Sequence, residues 1–175
     1  MKKRLSRLLT ALLLLVCLSA VLAVGAAAAD WTLQGYTPIS SQSELDSLLR
    51  SNPSGKYYLT QDITLDSTFT GNLPAFSGVL DGNGHTISGL TQSGSWSPNS
   101  KVSATKSVGG LFESNSGIIR NLTIYRASIS VTLNRFSTSY PGTIHYGVLV
   151  GTNTGTIENC VLDSTCSVTV GLKCT

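Results

Sequence analysis

Apolar residues along this chain come in short bursts separated by Gly, Asn and Asp, a pattern of strands and turns. From Tyr57 onward the bursts are Tyr57–Leu59, Ile63–Leu65, Phe76–Leu80, Thr86–Leu90, Gly110–Phe112, Ile118–Ile124, Ile129–Leu133, Gly147–Val150, Thr156–Leu162 and Ser167–Val170. One stretch alone has helical spacing. Ser41-Gln-Ser-Glu44 has the form of a capping box, and Leu45, Leu48 and Leu49 follow on one face. Asn52-Pro53 and Ser54-Gly55 end it, so a single helix over Ser41–Arg50 is predicted, its apolar stripe buried against the strands that follow.

The strand region repeats itself. Gly109, Leu111, Asn115, Gly117, Ile119 and Asn121 recur as Gly147, Leu149, Asn153, Gly155, Ile157 and Asn159, each pair 38 residues apart. A weaker third copy matches Asn83, Ile87 and Leu90 to Asn115, Ile119 and Leu122 at an offset of 32. Each copy also breaks its own period. In Ile119-Arg-Asn121-Leu122-Thr-Ile124 the apolar residues switch from odd to even positions, so a straight strand would send Ile119 and Leu122 to opposite faces. The chain must bend between them. Asn121, Asn159 and Gly89 stand at the switch, and Asn and Gly enter the left-handed region most cheaply, so these three are predicted as one structural corner. Asn83, Asn115 and Asn153 are candidates for an amide ladder at a second turn.

Strand, corner, strand and loop, repeated, is a coil that cannot bury its inner face alone. The predicted fold class is therefore all-β: a right-handed parallel β-helix (solenoid) with a short N-terminal capping α-helix. Stacking should place Leu122 against Cys160 and Leu90, and Ile119 against Ile157 and Ile87, with Gln92–Ser107 and Asn134–His145 projecting as loops from one corner. A sandwich of antiparallel hairpins is the competing architecture, but hairpins have no need of a shared corner residue or a long repeat.

The N-terminus bears on the compartment. Lys2, Lys3, Arg4 and Arg7 precede an uncharged apolar run, Leu8–Val24, and Ala27 and Ala29 supply the small residues of a signal-peptidase site before Asp30. Residues 1–29 read as a signal peptide, 30–56 as an N-terminal segment with the helix, and 57–175 as coils, incomplete at the C-terminus. A retained anchor is the competing reading, since the run lies at the lower limit for spanning a bilayer. Cleavage removes four of the twelve Lys and Arg while all nine acids remain, leaving a net charge of −1. Such a chain has no electrostatic reason to bind nucleic acid, and no membrane contact is expected of it after cleavage. Cys160, Cys166 and Cys174 are too few and too clustered for a disulfide framework, and free, buried thiols are expected.

No catalytic, cofactor-binding or metal-binding constellation can be assembled. Asp62 and Asp66 share a strand-like face, and Asp81 lies in Asp81-Gly-Asn-Gly84, but acids in such settings are turn formers. His85 and His145 have no ligand-type residue at metal spacing. Trp31, Tyr36, Trp96, Tyr140 and Tyr146 fall in predicted loops or terminal segments, where aromatics either pack or stack on sugars.

The runs Tyr57–Ile63, Phe76–Leu90, Gly110-Leu-Phe and Gly117-Ile-Ile-Arg-Asn-Leu122 resemble bacterial cell-surface β-helix proteins with GLUG-type repeats, over residues 39 to 170. In one copy the final Gly of the motif is Gly151, whereas the earlier copy has Glu113 there. The resemblance implies a secreted or wall-attached, adhesin-like module whose helix caps the first coil, and which binds extracellular glycan or a surface protein through its loops. The alternative is a fragment of a β-helix polysaccharide lyase or glycoside hydrolase. Val168, Val170 and Leu172 begin another inward face close to the end of the sequence, so self-association through an open C-terminal coil is a further expectation.

Overall fold

Ser41 starts the helix. Its hydroxyl accepts from the Glu44 N–H at 3.2 Å, and α1 then runs over Gln42–Ser51. The Glu44 carboxylate reaches back one residue further than a reciprocal box requires, accepting from the Ser40 N–H at 2.7 Å and the Ser40 hydroxyl at 2.8 Å. These bonds hold its pKa below the usual carboxylate range. Leu45 and Leu49, one turn apart, are fully buried. Arg50 in the last turn pairs with Asp46 at 2.8 Å and donates to the Gly71 carbonyl at 3.0 Å, tying the helix to the chain beyond it.

The structure is a computed structural model that describes residues 33–96, 104–107, 109–135 and 142–174. The predicted signal peptide, Trp31 and Tyr140 lie outside the described residues, as do the side chains of Trp96 and Cys174. The strands are β1 Thr37–Ile39, β2 Lys56–Leu59, β3 Ile63–Thr64, β4 Val79–Asp81, β5 Thr86–Ser88, β6 Thr91–Trp96, β7 Ala104–Ser107, β8 Phe112–Asn115, β9 Ile118–Arg120, β10 Thr123–Tyr125, β11 Ser128–Arg135, β12 Gly142–His145, β13 Val150–Asn153, β14 Thr156–Glu158, β15 Val161–Leu162 and β16 Ser167–Cys174. The described residues are all-β in class, with α1 as their one α-helix.

Every strand pairing among the described residues is parallel, which contradicts the antiparallel-hairpin alternative. The sheets run β1-β2-β4-β9-β14, β15-β10-β5-β3 and β16-β11-β6, with two further pairs, β12-β7 and β13-β8. Parallel neighbours need a long crossover, and here strands of the other sheets supply it. Thus β9 returns beside itself as β14, with Ile119 opposite Ile157, after the chain has passed through β10, β11, β12 and β13. We call each such circuit a pass.

The core is the set of inward residues of successive passes. Leu80 lies opposite Ile119, Ile87 opposite Ile124, and all four are at most 1% exposed. The Phe76 and Phe112 rings meet at 4.8 Å between centroids. Phe112 and Val150 pair where β8 and β13 begin, so the apolar bursts at Gly110 and Gly147 are approaches to these strands, which continue to Asn115 and Asn153.

Two expectations are corrected. First, Gln92–Ser107 and Asn134–His145 are not simple projecting loops: they contain most of β6, all of β7 and β12, and the end of β11, which join the parallel ladders. Ser- and Thr-rich segments such as Thr91–Ser95 lack the apolar alternation that marks a half-buried strand, and backbone pairing holds them instead. The burst Ile118–Ile124 comprises two strands, β9 and β10, divided at Asn121, where the break in period places the bend. The other correction is that the weak copy is shifted. Ile87 lies opposite Ile124 rather than Ile119, and Leu90 is level with Ala127 rather than Leu122, because the register across β5–β10 and β6–β11 is 37 residues.

Candidate functional site

Two columns of polar side chains run across the passes. In the first, Asn115 is 1% exposed and all its amide atoms are engaged: Oδ1 accepts from the Gly117 N–H at 3.1 Å, and Nδ2 donates to Asn153 Oδ1 at 2.8 Å. Asn153 in turn donates from Nδ2 to the Gly155 carbonyl at 3.1 Å. The preceding pass places Phe76 opposite Asn115, so the column holds two asparagines and Asn83 is not among them. Beside it stand Gly55, Gly78, Gly117 and Gly155. A Cβ on Gly78 would strike the Gly55 carbonyl oxygen, one on Gly117 that of Gly78, and one on Gly155 that of Gly117. The same carbonyls accept from Val79, Ile118 and Thr156 at 2.8 to 3.0 Å.

The second column lies at the corner after β4, β9 and β14. Asn159 Nδ2 donates to Asn121 Oδ1 at 3.3 Å, and Asn121 Nδ2 donates to Asp81 Oδ1 at 3.0 Å. Asn121 and Asn159 have φ of 53° and 50°. Asn83 belongs to this corner, with φ of 53°, its N–H donating to Asp81 Oδ1 and its amide to the Leu59 carbonyl. Gly89 belongs to the next corner. Its φ is 80°, and it stands level with Arg126, φ 53°, because Ser88 pairs with Tyr125 just before it. The sequence therefore suggested a place one turn too early for each: Asn83 with Asn115, and Gly89 with Asn121. The cause is local: the β4–β5 corner spans Gly82–His85, whereas the β9–β10 corner is only Asn121 and Leu122.

Asp81 is the acid that closes this column. It is 4% exposed, and Arg120 Nε donates to its Oδ2 at 2.8 Å. That bond raises the Arg120 pKa, and Glu158 approaches the same guanidinium at 4.0 Å. Asp62 and Asp66 are engaged elsewhere. Asp66 Oδ1 accepts from Gln42 Nε2 at 2.9 Å and from the Thr68 N–H at 2.8 Å, bonds that lower its pKa to about 2. Asp163 repeats the turn with Thr165, as Asp163-Ser-Thr165 repeats Asp66-Ser-Thr68, and its pKa is lowered in the same way.

Asp62 Oδ1 accepts from the Thr86 N–H at 2.9 Å and lies 3.3 Å from His85 Nδ1. Sequence spacing could not have found this contact, since the two residues lie in successive passes. Asp62 also lines a shallow depression of about 340 Å³ across β3, β5, β10 and β15, together with Thr86, Ser88, Thr123, Tyr125 and Asp163. Among the described residues no group of three or more His, Cys, Asp or Glu is arranged to hold a metal ion. Cys160 and Cys166 are free and partly buried, and burial raises the Cys160 pKa. Of the aromatics, Tyr36 lies under Lys56 Nζ at 5.9 Å, and Tyr146 is exposed.

No family model matches this chain, and no solved structure matches it. It is similar to Halomucin of Haloquadratum walsbyi, 36% identical over 91 residues. The match takes in 52% of this chain and 1% of Halomucin, so the chain spans only a small part of that relative's length. No helix among the described residues is long and apolar enough to cross a membrane.

Proposed function

We propose that this chain is a right-handed parallel β-helix, closed at its N-terminal end by α1, and that it is exported to serve as a structural or adhesion scaffold at the cell surface. The observation that carries this reading is the recurrence of one set of side chains at one register. Ile119 and Ile157, Asn115 and Asn153, Asn121 and Asn159, and Gly117 and Gly155 each sit one pass apart, so the polar and apolar interactions of a pass repeat in the next. Side chains able to do chemistry are committed to holding that stack: Asp81 to Arg120 and Asn121, Asp66 to Gln42 and Thr68.

Burial of Leu45 and Leu49 supports α1 as the cap. The resemblance to GLUG-type surface proteins and the partial likeness to Halomucin accord with a module of a longer extracellular polypeptide. Its binding partner is an extracellular glycan or a surface protein, met through outward polar side chains. The test is to incubate the purified chain with pectin, alginate and xylan while following new reducing ends and unsaturated products. The scaffold reading expects no turnover; turnover abolished by Asp62→Ala or Asp81→Ala overturns it.

A further inference from the structure

We infer that the outer surface along residues 62–69 is a binding track for an uncharged, extended glycan chain, with Tyr125 as its aromatic platform. The inference rests on the adhesion-scaffold reading above and chooses between the two partners named there. Thr64, Ser88 and Tyr125 stand level across β3, β5 and β10, each one position after an inward residue, Ile63, Ile87 or Ile124, and so face outward. Ser88 donates from its hydroxyl to that of Thr64 at 3.2 Å. These three, with Asp62 and Asp163, line the depression of about 340 Å³. It does not stand alone. Leu65, Asp66 and Ser67 line a second of about 320 Å³ with Gly89 and Thr91, and Thr68 and Phe69 line a third of about 270 Å³ with Gln42 and Asp46. The three depressions therefore follow one another along a single stretch of chain.

The chemistry of the lining selects the occupant. The hydroxyls of Thr64, Ser67, Ser88 and Thr91 and the carboxylates of Asp62, Asp66 and Asp163 can exchange hydrogen bonds with sugar hydroxyls, and Tyr125 supplies a ring on which the C–H face of a sugar can rest. The Arg126 guanidinium lies over the Tyr125 ring at 4.9 Å and steadies one of its two faces. Asp66 and Asp163 are fixed by Thr68 and Thr165 within their own turns, so these acceptors are in place before a ligand arrives. A protein partner would need an apolar anchor closed off from water, and Leu65 and Phe69 in these depressions are already buried in the core of the chain itself. Charge narrows the choice further. Asp46, Asp62, Asp66 and Asp163 all line the track, whereas Arg50 is paired with Asp46 and Arg126 is placed against the ring, so uronate or sulfated polymers are repelled. An open series of shallow depressions suits a chain of sugars rather than one enclosed ring.

Affinity electrophoresis of the purified chain through native gels containing xyloglucan, galactomannan, mixed-linkage β-glucan or alginate tests this. The inference expects retardation in at least one of the three neutral polysaccharides and none in alginate, with an association constant that falls about tenfold in Tyr125→Ala. Thr64→Arg, at an exposed position in the same depression, should weaken binding at least as much while leaving circular dichroism unchanged, so that loss of binding is not loss of fold. Tyr58→Ala, in β2 and outside the track, should bind like the unsubstituted chain. No retardation in any neutral polysaccharide, equal retardation in alginate, or retardation indifferent to Tyr125→Ala and Thr64→Arg overturns the inference and leaves a structural scaffold standing. Release of new reducing ends from a retarding polysaccharide overturns the scaffold reading and leaves the binding track in place.

Discussion

Asn115 and Asn153 are 38 residues apart in sequence and joined by a 2.8 Å amide hydrogen bond, with Asn115 sealed from solvent and Asn153 at the open end of the column. The pair is asymmetric in consequence. Asn115→Ala strips the Gly117 N–H of its acceptor and Asn153 of its donor in a buried setting, which should cost about 2–3 kcal/mol. Asn153→Ala removes one bond near water and should cost about 1 kcal/mol or less. Urea denaturation of the two variants checks the order; equal losses would mean that the column is not buried from one side.

The glycine column makes a sharper demand, because the obstacle to a side chain is backbone of the neighbouring pass. Gly117→Ala drives its Cβ into the Gly78 carbonyl, which accepts from Ile118 at 2.9 Å and cannot retreat without opening that pairing. A loss of about 3 kcal/mol is expected, at the upper end for overpacking. Gly171→Ala in β16 meets only ordinary contacts, at 3.8 and 4.0 Å, and should change stability by about 0.5 kcal/mol or less. Thermal melting of both variants gives the comparison.

These same residues show what the sequence could reveal. Six identities at one spacing, among them Asn115, Gly117 and Ile119, gave the register of β8 on β13 and β9 on β14, because those passes have equal lengths. The preceding pass carries extra residues at Gly82–His85, so comparison at a fixed offset slipped and aligned Ile87-Ser-Gly89-Leu90 with Ile119-Arg-Asn121-Leu122. The true counterpart of Gly89 is Arg126, and a left-handed Arg has no sequence signature because its side chain is not selected for that conformation. The Asp62–His85 and Asp81–Arg120 contacts were hidden for the same reason: they join residues across passes, and local spacing does not report them.

Asp81 should be the costliest acid to remove. Asp81→Ala leaves Arg120, Asn121 and the Asn83 N–H without their shared acceptor, and a loss of about 3 kcal/mol is expected, moderated because Arg120 keeps some solvent contact. Chemical denaturation at neutral pH measures it. A loss no larger than that of Asp62→Ala, whose target is an exposed carboxylate, would contradict the account.

Asp66 sets a pH dependence. Its ordinary pKa of 3.8 falls to about 2 in the fold, so folding favours the ionised form. Its contribution is complete above pH 3.8 and is lost as pH falls through about 2. The melting-temperature gap between the unsubstituted chain and Asp66→Ala should therefore be constant near neutrality and narrow across that acid window. A gap that widens on acidification would reverse the sign of the argument.

Successive passes lying side by side in parallel is the claim beneath all of these outcomes, and nuclear Overhauser contacts in the folded chain address it directly. The account predicts methyl contacts of Ile119 with both Leu80 and Ile157, and of Ile124 with both Ile87 and Leu162, accompanied by the Hα–HN pattern of parallel strands between Thr123 and Val161. Antiparallel Hα–Hα contacts in this region, or no contact between Ile119 and Ile157, would contradict it.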